Sequence, residues 1–282
     1  MKLTDKQPSA THRVLLFGAP KSGKTQLAAT LSAKYKVIWF DLENGYGTLL
    51  KLPAAQQANI ELISIPDSKT FPIAVETMLK VIAGNPVEIC EEHGKVMCPI
   101  CKKDNKPTTA VNLRELTNDY VVVIDSLTQF TNSAIAFITK NQPDDYKMQF
   151  DDWGSLRAVV EKFLSQVQQA KYNIVCISHE EEVEMEDGRK KIVPVCGSSK
   201  SSRNTAKYFD HVVYCEVKNK KHISASSTTF ANNVVTGSRT DFVMEQAVEP
   251  TLLDLFASHI QKPATPGAAA LSQLKGLTTG AK

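Results

Sequence analysis

One octapeptide near the start of the chain constrains the fold more than any other feature. Residues 18–25 read GAPKSGKT, with glycines at the first and sixth positions and a Lys-Thr pair at the end. The apolar run 13–17 precedes it and a helical pattern over 26–33 follows it, so the sequence predicts a strand, a tight loop and a helix. Such a loop aims backbone N–H groups at phosphate oxygens, and the helix N-terminus adds to their pull. The segment is therefore predicted to be a phosphate-binding loop (P-loop) for ATP.

The positions of this loop have separate predicted roles. Gly18 and Gly23 make turns, Lys24 places a positive charge at the β- and γ-phosphates, and Thr25 ligates Mg²⁺. Asp125 ends the run VVVID, whose apolar residues are typical of a buried central strand, and its carboxylate is expected to hold the same Mg²⁺. The residues predicted to bind the nucleotide and its metal are Gly18, Ala19, Pro20, Lys21, Ser22, Gly23, Lys24, Thr25, Gln26 and Asp125.

Two further strand ends carry candidate catalytic groups, which together with Lys24 make up the predicted catalytic set. The second predicted strand ends in Asp41-Leu42-Glu43, and Glu43 is placed to polarise a water for attack on the γ-phosphate. Alternatively, Asp41 and Glu43 cap the following turn. His179 follows the strand predicted over 173–178, where a polar side chain can sense the γ-phosphate and signal to the next loop.

The alternation of apolar runs with helical patterns predicts an α/β fold with a mostly parallel central sheet. The predicted strands are 13–17, 36–41, 60–65, 120–125, 173–178 and 211–217. The predicted helices are 26–33, 73–83, 127–139 and 156–170, with Ser155 as the expected cap of the last.

The predicted organisation is one domain between two tails. We expect an N-terminal tail at 1–12, a core domain at 13–260 and a flexible C-terminal tail at 261–282, which contains no acidic residue. Asp187-Gly188 between strand-like runs indicates a hairpin at 183–195.

Three of the six cysteines cluster with a histidine. Cys90, His93, Cys98 and Cys101 fall within twelve residues, and Cys-Pro-Ile-Cys forms a tight knuckle. Thiolate sulfur and imidazole nitrogen are preferred zinc ligands, and four of them complete a closed structural site. The alternative is a surface loop with three free cysteines. We therefore predict a small zinc-knuckle-like module inserted at 86–107.

In their order along the chain, these motifs resemble those of the RecA-like recombinase ATPases. The resemblance covers residues 13–217 and implies a RecA-like P-loop NTPase core, with Glu43 as catalytic glutamate and Asp125 as the Walker B aspartate. His179 stands where that family usually has a glutamine sensor. More narrowly, DLENG, DDWG, CISHEEE and the Pro-x-x-Gly step at 194–197 make the chain similar to phage single-strand annealing proteins of the Sak-four type.

Charge is uneven after His179, where an acidic run over 180–187 precedes a basic stretch over 189–221. The resemblance implies that the Ser/Gly loop at 197–203 contacts DNA, and a flexible basic loop suits a phosphate backbone. The predicted DNA contacts are Lys190, Lys191, Lys200 and Arg203, with Tyr208, Phe209 and Tyr214 able to stack on bases if exposed. The alternative is a solvated basic face around core aromatics. A third interpretation has Lys200, Arg203 or Lys207 reaching the γ-phosphate of a neighbouring subunit.

These features favour an ATP-hydrolysing protein of phage recombination that binds single-stranded DNA, promotes annealing and forms a ring or filament. A single-strand-binding protein is a candidate partner. Two other functions fit the motifs: an assembly or packaging ATPase that does not act on single-stranded DNA, and a small-molecule P-loop kinase. The kinase is disfavoured because nothing in the sequence resembles an Arg-rich lid.

Bulk properties add little about partners. The formal net charge of +3 implies no partner by itself. The sequence shows neither an apolar run of bilayer length nor a signal-peptide pattern. We therefore expect a cytoplasmic protein, in the host cytoplasm if phage-encoded, with no membrane partner.

Overall fold

The computed structural model describes residues 11–185, 187–226, 233–239, 244, 247–248 and 250–257. The predicted C-terminal tail lies outside these residues. So do all but the last two residues of the predicted N-terminal tail, and Glu186 near the hairpin turn.

The six strands predicted from the sequence are present, each within one residue of its expected bounds. The strands are β1 (Arg13–Gly18), β2 (Lys36–Asp41), β3 (Ile60–Ser64), β4 (Val87–Cys90), β5 (Thr108–Val111), β6 (Tyr120–Asp125), β7 (Asn173–Ser178), β8 (Glu180–Glu184), β9 (Lys190–Pro194), β10 (His211–Lys218), β11 (Lys221–Ala225), β12 (Gly237–Ser238) and β13 (Ala247–Val248). The helices are α1 (Lys24–Ala29), α2 (Ala54–Gln57), α3 (Ala74–Ile82), α4 (Pro99–Lys103), α5 (Leu127–Thr139), α6 (Phe150–Gln168), α7 (Ser199–Asn204) and α8 (Leu253–Ala257).

The main sheet is mostly parallel, as predicted. Among the described residues its order is β13-β11-β10-β1-β7-β6-β2-β3, with β12 paired to β10. The pairs from β10 to β3 are parallel, and β11, β12 and β13 add antiparallel pairs on the β10 side. The carboxyl ends of β1, β2, β6 and β7 therefore meet at one edge of the sheet.

Helices cover both faces of this sheet, which explains the unbroken apolar runs of β6 and β7. One face packs α3, α5 and α6 around Phe40, Phe130 and Phe163. The other packs α1 and α8 around Trp39, Leu31 and Phe256. Two apolar layers thus hold the central strands and fix the edge at which they end.

Helix α6 begins six residues earlier than the sequence predicts. Ser155 lies inside the helix, so its assignment as the cap is wrong. The Asp152 carboxylate accepts a hydrogen bond from the backbone N–H of Gln149 at 2.8 Å, and Asp151 and Asp152 stand in the first turn. Acidic side chains there stabilise the positive end of a helix, which accounts for the earlier start.

The segment 197–203 is also not the flexible loop that the sequence predicts. Residues Ser199–Asn204 form α7, and the Ser198 hydroxyl accepts a hydrogen bond from the backbone N–H of Ser201. A cluster of serines is typical of a loop, but a serine at an N-cap starts a helix.

The cysteine-containing insertion is a small folded unit. Strands β4 and β5 form an antiparallel pair, and α4 follows Cys98, with Pro99 in its first turn. Its β5 strand lies just past residue 107, where the predicted module ends. Within the described residues, no helix is long and apolar enough to cross a membrane.

Candidate active site

The P-loop connects β1 to α1 through two glycines that leave no room for a side chain. A Cβ at Gly18 would lie 2.0 Å from the carbonyl oxygen of Cys215 on β10. Gly23 has φ +91°, where L side chains are strained, and its Cβ would meet the ring of His222 at 2.8 Å. Glycine therefore lets this loop run against β10 and β11.

Lys24 lies inside the loop, where the β- and γ-phosphates are predicted to bind. Its Nζ donates to the carbonyl oxygens of Gly18 at 2.9 Å and Ala19 at 2.7 Å. The side chain is buried, and burial lowers the pKa of Lys24 although neighbouring acidic groups oppose the shift. A buried cation held by neutral carbonyls is well placed to exchange them for phosphate oxygens.

Thr25 and Asp125 form the second part of the site, at the ends of the P-loop and of β6. The Thr25 hydroxyl donates to Asp125 Oδ2 at 3.0 Å. Burial, with repulsion from Glu43, raises the pKa of Asp125 to about 7, while the bond from Thr25 opposes the shift. A hydroxyl and a carboxylate are the hard oxygen ligands that Mg²⁺ prefers, so this pair fits that cation.

The loop after β2 gives its two acids different surroundings. The Asp41 carboxylate accepts hydrogen bonds from the backbone N–H groups of Glu43 at 3.2 Å, Gly45 at 3.0 Å and Tyr46 at 3.1 Å. Asp41 thus caps the turn, as the alternative interpretation of these acids has it. The side chain of Glu43 takes no part in that cap and turns toward β6 and β7.

Glu43 Oε1 is held by two side chains. The Ser126 hydroxyl donates to it, and His179 Nε2 lies 3.5 Å away. Burial alone would raise the pKa of Glu43, but the contacts with His179 and Ser126 outweigh it and lower that pKa. The carboxylate is therefore ionised at neutral pH while 30% of its side chain stays exposed, as a general base requires.

His179 also joins Glu43 to the β8–β9 hairpin. Its backbone N–H donates to the Thr128 hydroxyl at 2.9 Å, and its carbonyl oxygen accepts from the backbone N–H of Val195 at 2.9 Å. Val195 directly follows β9, so a movement of the His179 backbone would displace the base of the hairpin through this hydrogen bond. Its Nδ1 is buried, with no hydrogen-bond partner among the described residues.

His222 on β11 belongs to the site, although no sequence motif identified it. Its Nδ1 lies 3.1 Å from the carbonyl oxygen of Ser22, and its ring covers Gly23. A lone histidine after the tight turn at Asn219 and Lys220 gave no local signal, because only the antiparallel pairing of β11 with β10 brings it to the P-loop.

These groups surround one cavity of about 680 Å³. Its lining includes the P-loop from Pro20 to Thr25 and the predicted residues Gln26, Glu43, Asp125 and His179. Gly18 and Ala19 are connected to it because their carbonyl oxygens accept hydrogen bonds from Lys24. The structure thus brings together the predicted nucleotide-binding and catalytic residues from the P-loop and from the ends of β2, β6 and β7.

Residues 10–240 match the protein family described as AAA domain. This chain belongs to the AAA domain family. Together with the sheet order, in which β7 separates the P-loop strand from the Asp125 strand, this confirms the RecA-like P-loop fold. AAA domain proteins are typically ATPases, and membership implies ATP and Mg²⁺ as ligands of the cavity.

Other comparisons are more distant. No curated protein matches the sequence significantly. Similar solved structures include the RadB recombinase, at 13% identity over 76% of this chain and 79% of that chain, with a TM-score of 0.39. A KaiC-like protein from Pyrococcus horikoshii OT3 matches at 13% identity over 77% of each chain, with a TM-score of 0.37. A type III secretion system ATPase matches at 12% identity over 74% of this chain and 52% of that chain, with a TM-score of 0.42.

The AAA domain of this chain also contains the predicted metal cluster. The ligand atoms of Cys90, His93, Cys98 and Cys101 all lie within 4.8 Å of one another. The three cysteines are buried, and His93 Nδ1 lies 3.1 Å from Cys101 Sγ. A tetrahedral zinc site has sulfur–sulfur edges of about 3.8 Å, so the donor set and its size both fit this metal.

The four predicted DNA-contacting residues, unlike the residues of the cavity, do not line one common site. Lys190 Nζ forms an ion pair with Glu182 at 2.7 Å across the hairpin, because the acidic strand β8 lies against the basic end of β9. Lys191 and Arg203 are half-buried, and Arg203 Nε is buried with no partner among the described residues. Lys200 is exposed on α7.

The aromatic residues of this region are mostly unsuited to stacking on bases. Phe209 and Tyr214 are 3% and 7% exposed and belong to the core, while Tyr208 is half-buried beneath the Lys207 ammonium. The basic stretch therefore encloses core aromatics, as the alternative interpretation states.

Proposed function

We propose that this AAA domain protein hydrolyses ATP, with Glu43 as the base that activates the attacking water. The observation that carries the proposal is the Glu43 carboxylate itself. It is ionised, part-exposed and fixed by Ser126 and His179 on the wall of the cavity that contains the P-loop. A base in that position needs no rearrangement before it accepts a proton from water.

The other residues of the cavity act on the phosphates. Lys24 would exchange the carbonyl oxygens of Gly18 and Ala19 for β- and γ-phosphate oxygens and stabilise the charge on them. Thr25 and Asp125 would hold Mg²⁺, which neutralises charge on the phosphates when bound. His179 would report the state of the γ-phosphate to the β8–β9 hairpin through Val195.

We propose structural Zn²⁺ at the four-residue cluster. Three buried thiols beside an imidazole form a closed set of four protein ligands with no position left for a substrate. The metal would therefore stabilise the insertion and take no direct part in hydrolysis.

For the polymer partner we propose single-stranded DNA, with annealing in phage recombination as the outcome. Its support on the surface is a groove of about 250 Å³ between α6 and α7, lined by Lys200 and Lys207 together with Ser201 and Asn204. Arg157 and Glu161 also line it and form an ion pair at 2.9 Å. Basic and hydroxyl side chains in one groove suit a phosphate backbone read without regard to sequence. Lys190 and Lys191 would contribute only after the hairpin moves, and Arg203 on α7 only after its buried Nε becomes exposed.

The test is the ATPase rate with and without single-stranded DNA, for the wild type and Lys24→Ala. We expect hydrolysis that rises with DNA and is abolished in the variant, and a gel shift that depends on ATP. Phosphate transfer to a nucleoside or nucleotide would instead show a kinase. An ATP-dependent increase in particle mass without DNA, and no gel shift, would show a nucleotide-gated assembly.

A further inference from the structure

The metal cluster packs against the strand that supports the Glu43 loop. Gly94, next to His93, has φ +61°, and a Cβ there would lie 2.7 Å from Ile65 Cα and 3.0 Å from the carbonyl oxygen of Ser64. On its other side, the Thr77 hydroxyl of α3 donates to the carbonyl oxygen of Gly94 at 2.9 Å. Ile65 and Thr77 are each 1% exposed. The turn that carries His93 is thus enclosed between the end of β3 and α3, with no space for a methyl group.

A first path leads from this turn to Glu43 through the sheet. The backbone N–H of Ile65 donates to the carbonyl oxygen of Asp41 at 2.9 Å. The Asp41 carboxylate in turn holds the backbone N–H groups of Glu43 and Gly45. Two hydrogen-bonded steps therefore separate the residue packed on Gly94 from the backbone of Glu43.

A second path leads to the side chain of Glu43 through α5. The segment after Ile65 continues to Asp67, whose carboxylate accepts hydrogen bonds from Gln129 Nε2 at 2.9 Å and the Ser133 hydroxyl at 2.8 Å. Both donors lie on α5. The cap of that helix is Ser126, the residue that donates to Glu43 Oε1. The two paths converge on one carboxylate.

The P-loop does not share these supports. Its glycines pack on Cys215 and His222, which belong to β10 and β11 on the other side of the sheet. A disturbance at the metal cluster is therefore expected to reach Glu43 before it reaches the phosphate-binding residues.

We propose that Zn²⁺ bound by Cys90, His93, Cys98 and Cys101 presses the Gly94 turn against Ile65 and so positions Glu43 for hydrolysis. Metal occupancy then controls the rate of ATP hydrolysis without controlling ATP affinity, and Gly94 is a positioning residue. The effect on rate rests on the proposed ATPase activity. The effect on the Glu43 loop does not.

The first experiment compares Gly94→Ala with Gly84→Ala. Both glycines have positive φ, +61° and +77°, but a Cβ at Gly84 meets only the flexible side chain of Arg114. We expect Gly94→Ala to lower kcat by roughly tenfold to a hundredfold, the scale of a catalytic group displaced by about 1 Å, with KM for ATP within about twofold of wild type. Gly84→Ala should keep wild-type kcat. Equal kcat in the two variants, or a loss in KM alone, would overturn the proposal.

The second experiment removes the metal without altering Gly94. Zinc content and amide hydrogen exchange are measured on the wild type before and after chelation, and on Cys101→Ser. We expect one zinc per chain in the wild type, and faster exchange of the Glu43, Gly45 and Tyr46 amides once it is lost. Exchange in the P-loop serves as the internal control for folding and should not change. Absence of zinc from the purified protein, or unchanged exchange at Glu43 after its removal, would refute the coupling. Neither zinc content nor hydrogen exchange needs ATP. If the protein hydrolyses no ATP, the proposed function is wrong, but the measured coupling between zinc and the Glu43 loop is unaffected.

Discussion

Two regions of the molecule, the active-site edge of the sheet and the β8–β9 hairpin, use charged side chains in opposite ways. At the edge, Lys24, Asp41 and Asp125 are at most 6% exposed, and their hydrogen bonds go to backbone or hydroxyl groups. On the hairpin, Lys190 pairs with Glu182 and Arg189 with Asp187, all on the surface.

The difference indicates which charged groups are available to a ligand. A buried charge without an opposite partner is costly, and such groups cluster at functional sites because a bound ligand can supply the opposite charge. An exposed ion pair contributes only about 0–1 kcal/mol to the free energy of folding, and each of its charges is already neutralised by the other. Substitutions at the edge should therefore change activity strongly, and substitutions on the hairpin should change little.

The largest expected effect is that of Glu43→Gln. The amide keeps the size of the side chain but cannot accept a proton from water, so kcat should fall by about 10²–10⁴-fold while ATP binding persists. Single-turnover hydrolysis and nucleotide-binding titrations measure the two quantities. Glu184→Gln, at an exposed position of β8, is the matched control. A Glu43→Gln enzyme with more than about a tenth of wild-type kcat would contradict the role of Glu43 as base.

Asp125→Asn should abolish Mg²⁺-dependent hydrolysis and yet stabilise the ligand-free protein. The folded-state pKa of Asp125 is about 7 against 3.8 for the free side chain, so the folded form retains a proton that the unfolded form has lost. The stability contributed by wild-type Asp125 therefore falls as pH rises between these two values. The asparagine variant should be more stable by up to about 4 kcal/mol at pH 8 and nearly equal to wild type at pH 4. Denaturant unfolding at both pH values, without Mg²⁺, checks this, and a gain independent of pH would refute the assignment.

A smaller, kinetic effect is expected from His179→Ala. Removing this side chain raises the pKa of Glu43, because His179 and Ser126 together hold it down. A base with a raised pKa is protonated at higher pH, so the acidic limb of the pH–rate profile should move upward. Loss of the contact that holds Glu43 Oε1 should also lower kcat by roughly tenfold at pH values above this limb, because the base is less well positioned. Ser126→Ala should move the limb in the same direction. If the limb stays in place in both variants, Glu43 is not the group that titrates.

The same contrast explains how much the sequence could predict. Five of the six predicted strands were predictable because each contains an apolar run buried on both faces, which needs no knowledge of its neighbours: β1, β2, β6, β7 and β10. The sixth, β3, ends the sheet order among the described residues, and its Glu61 and Leu62 are exposed. The nucleotide residues were predicted from the motif between β1 and α1 and from Asp125 at the end of β6, and the carboxyl ends of parallel strands bring them to one edge. The predicted catalytic and DNA-contacting roles of Glu43, His179 and Lys200 remain predictions.

What could not be predicted depends on pairing between distant segments. The positions of His222 and Gly94 are set by β11 on β10 and by the insertion on β3. His222 stands in no motif, and Gly94 is a spacer position of the Cys/His cluster, whose spacing does not indicate the contact with β3. For the same reason, the sequence could not show which charges of the basic stretch after His179 are already paired. Its positive charge includes Lys190, whose partner Glu182 is fixed by the register of the hairpin.

The smallest expected effect is that of Lys190→Ala on the hairpin. Both partners of its ion pair are more than half exposed, so the free energy of unfolding should change by less than about 1 kcal/mol. Because Glu182 already neutralises this lysine, affinity for single-stranded DNA should change less than in Lys200→Ala, whose side chain lies on the groove between α6 and α7. Salt-dependent binding titrations discriminate the two, since a lysine that neutralises one phosphate adds about 0.7 to the slope of log affinity against log salt for single strands. A larger drop in affinity for Lys190→Ala would mean that the ion pair opens when DNA binds. The charges of the hairpin would then resemble those of the active-site edge, because they would bind a ligand.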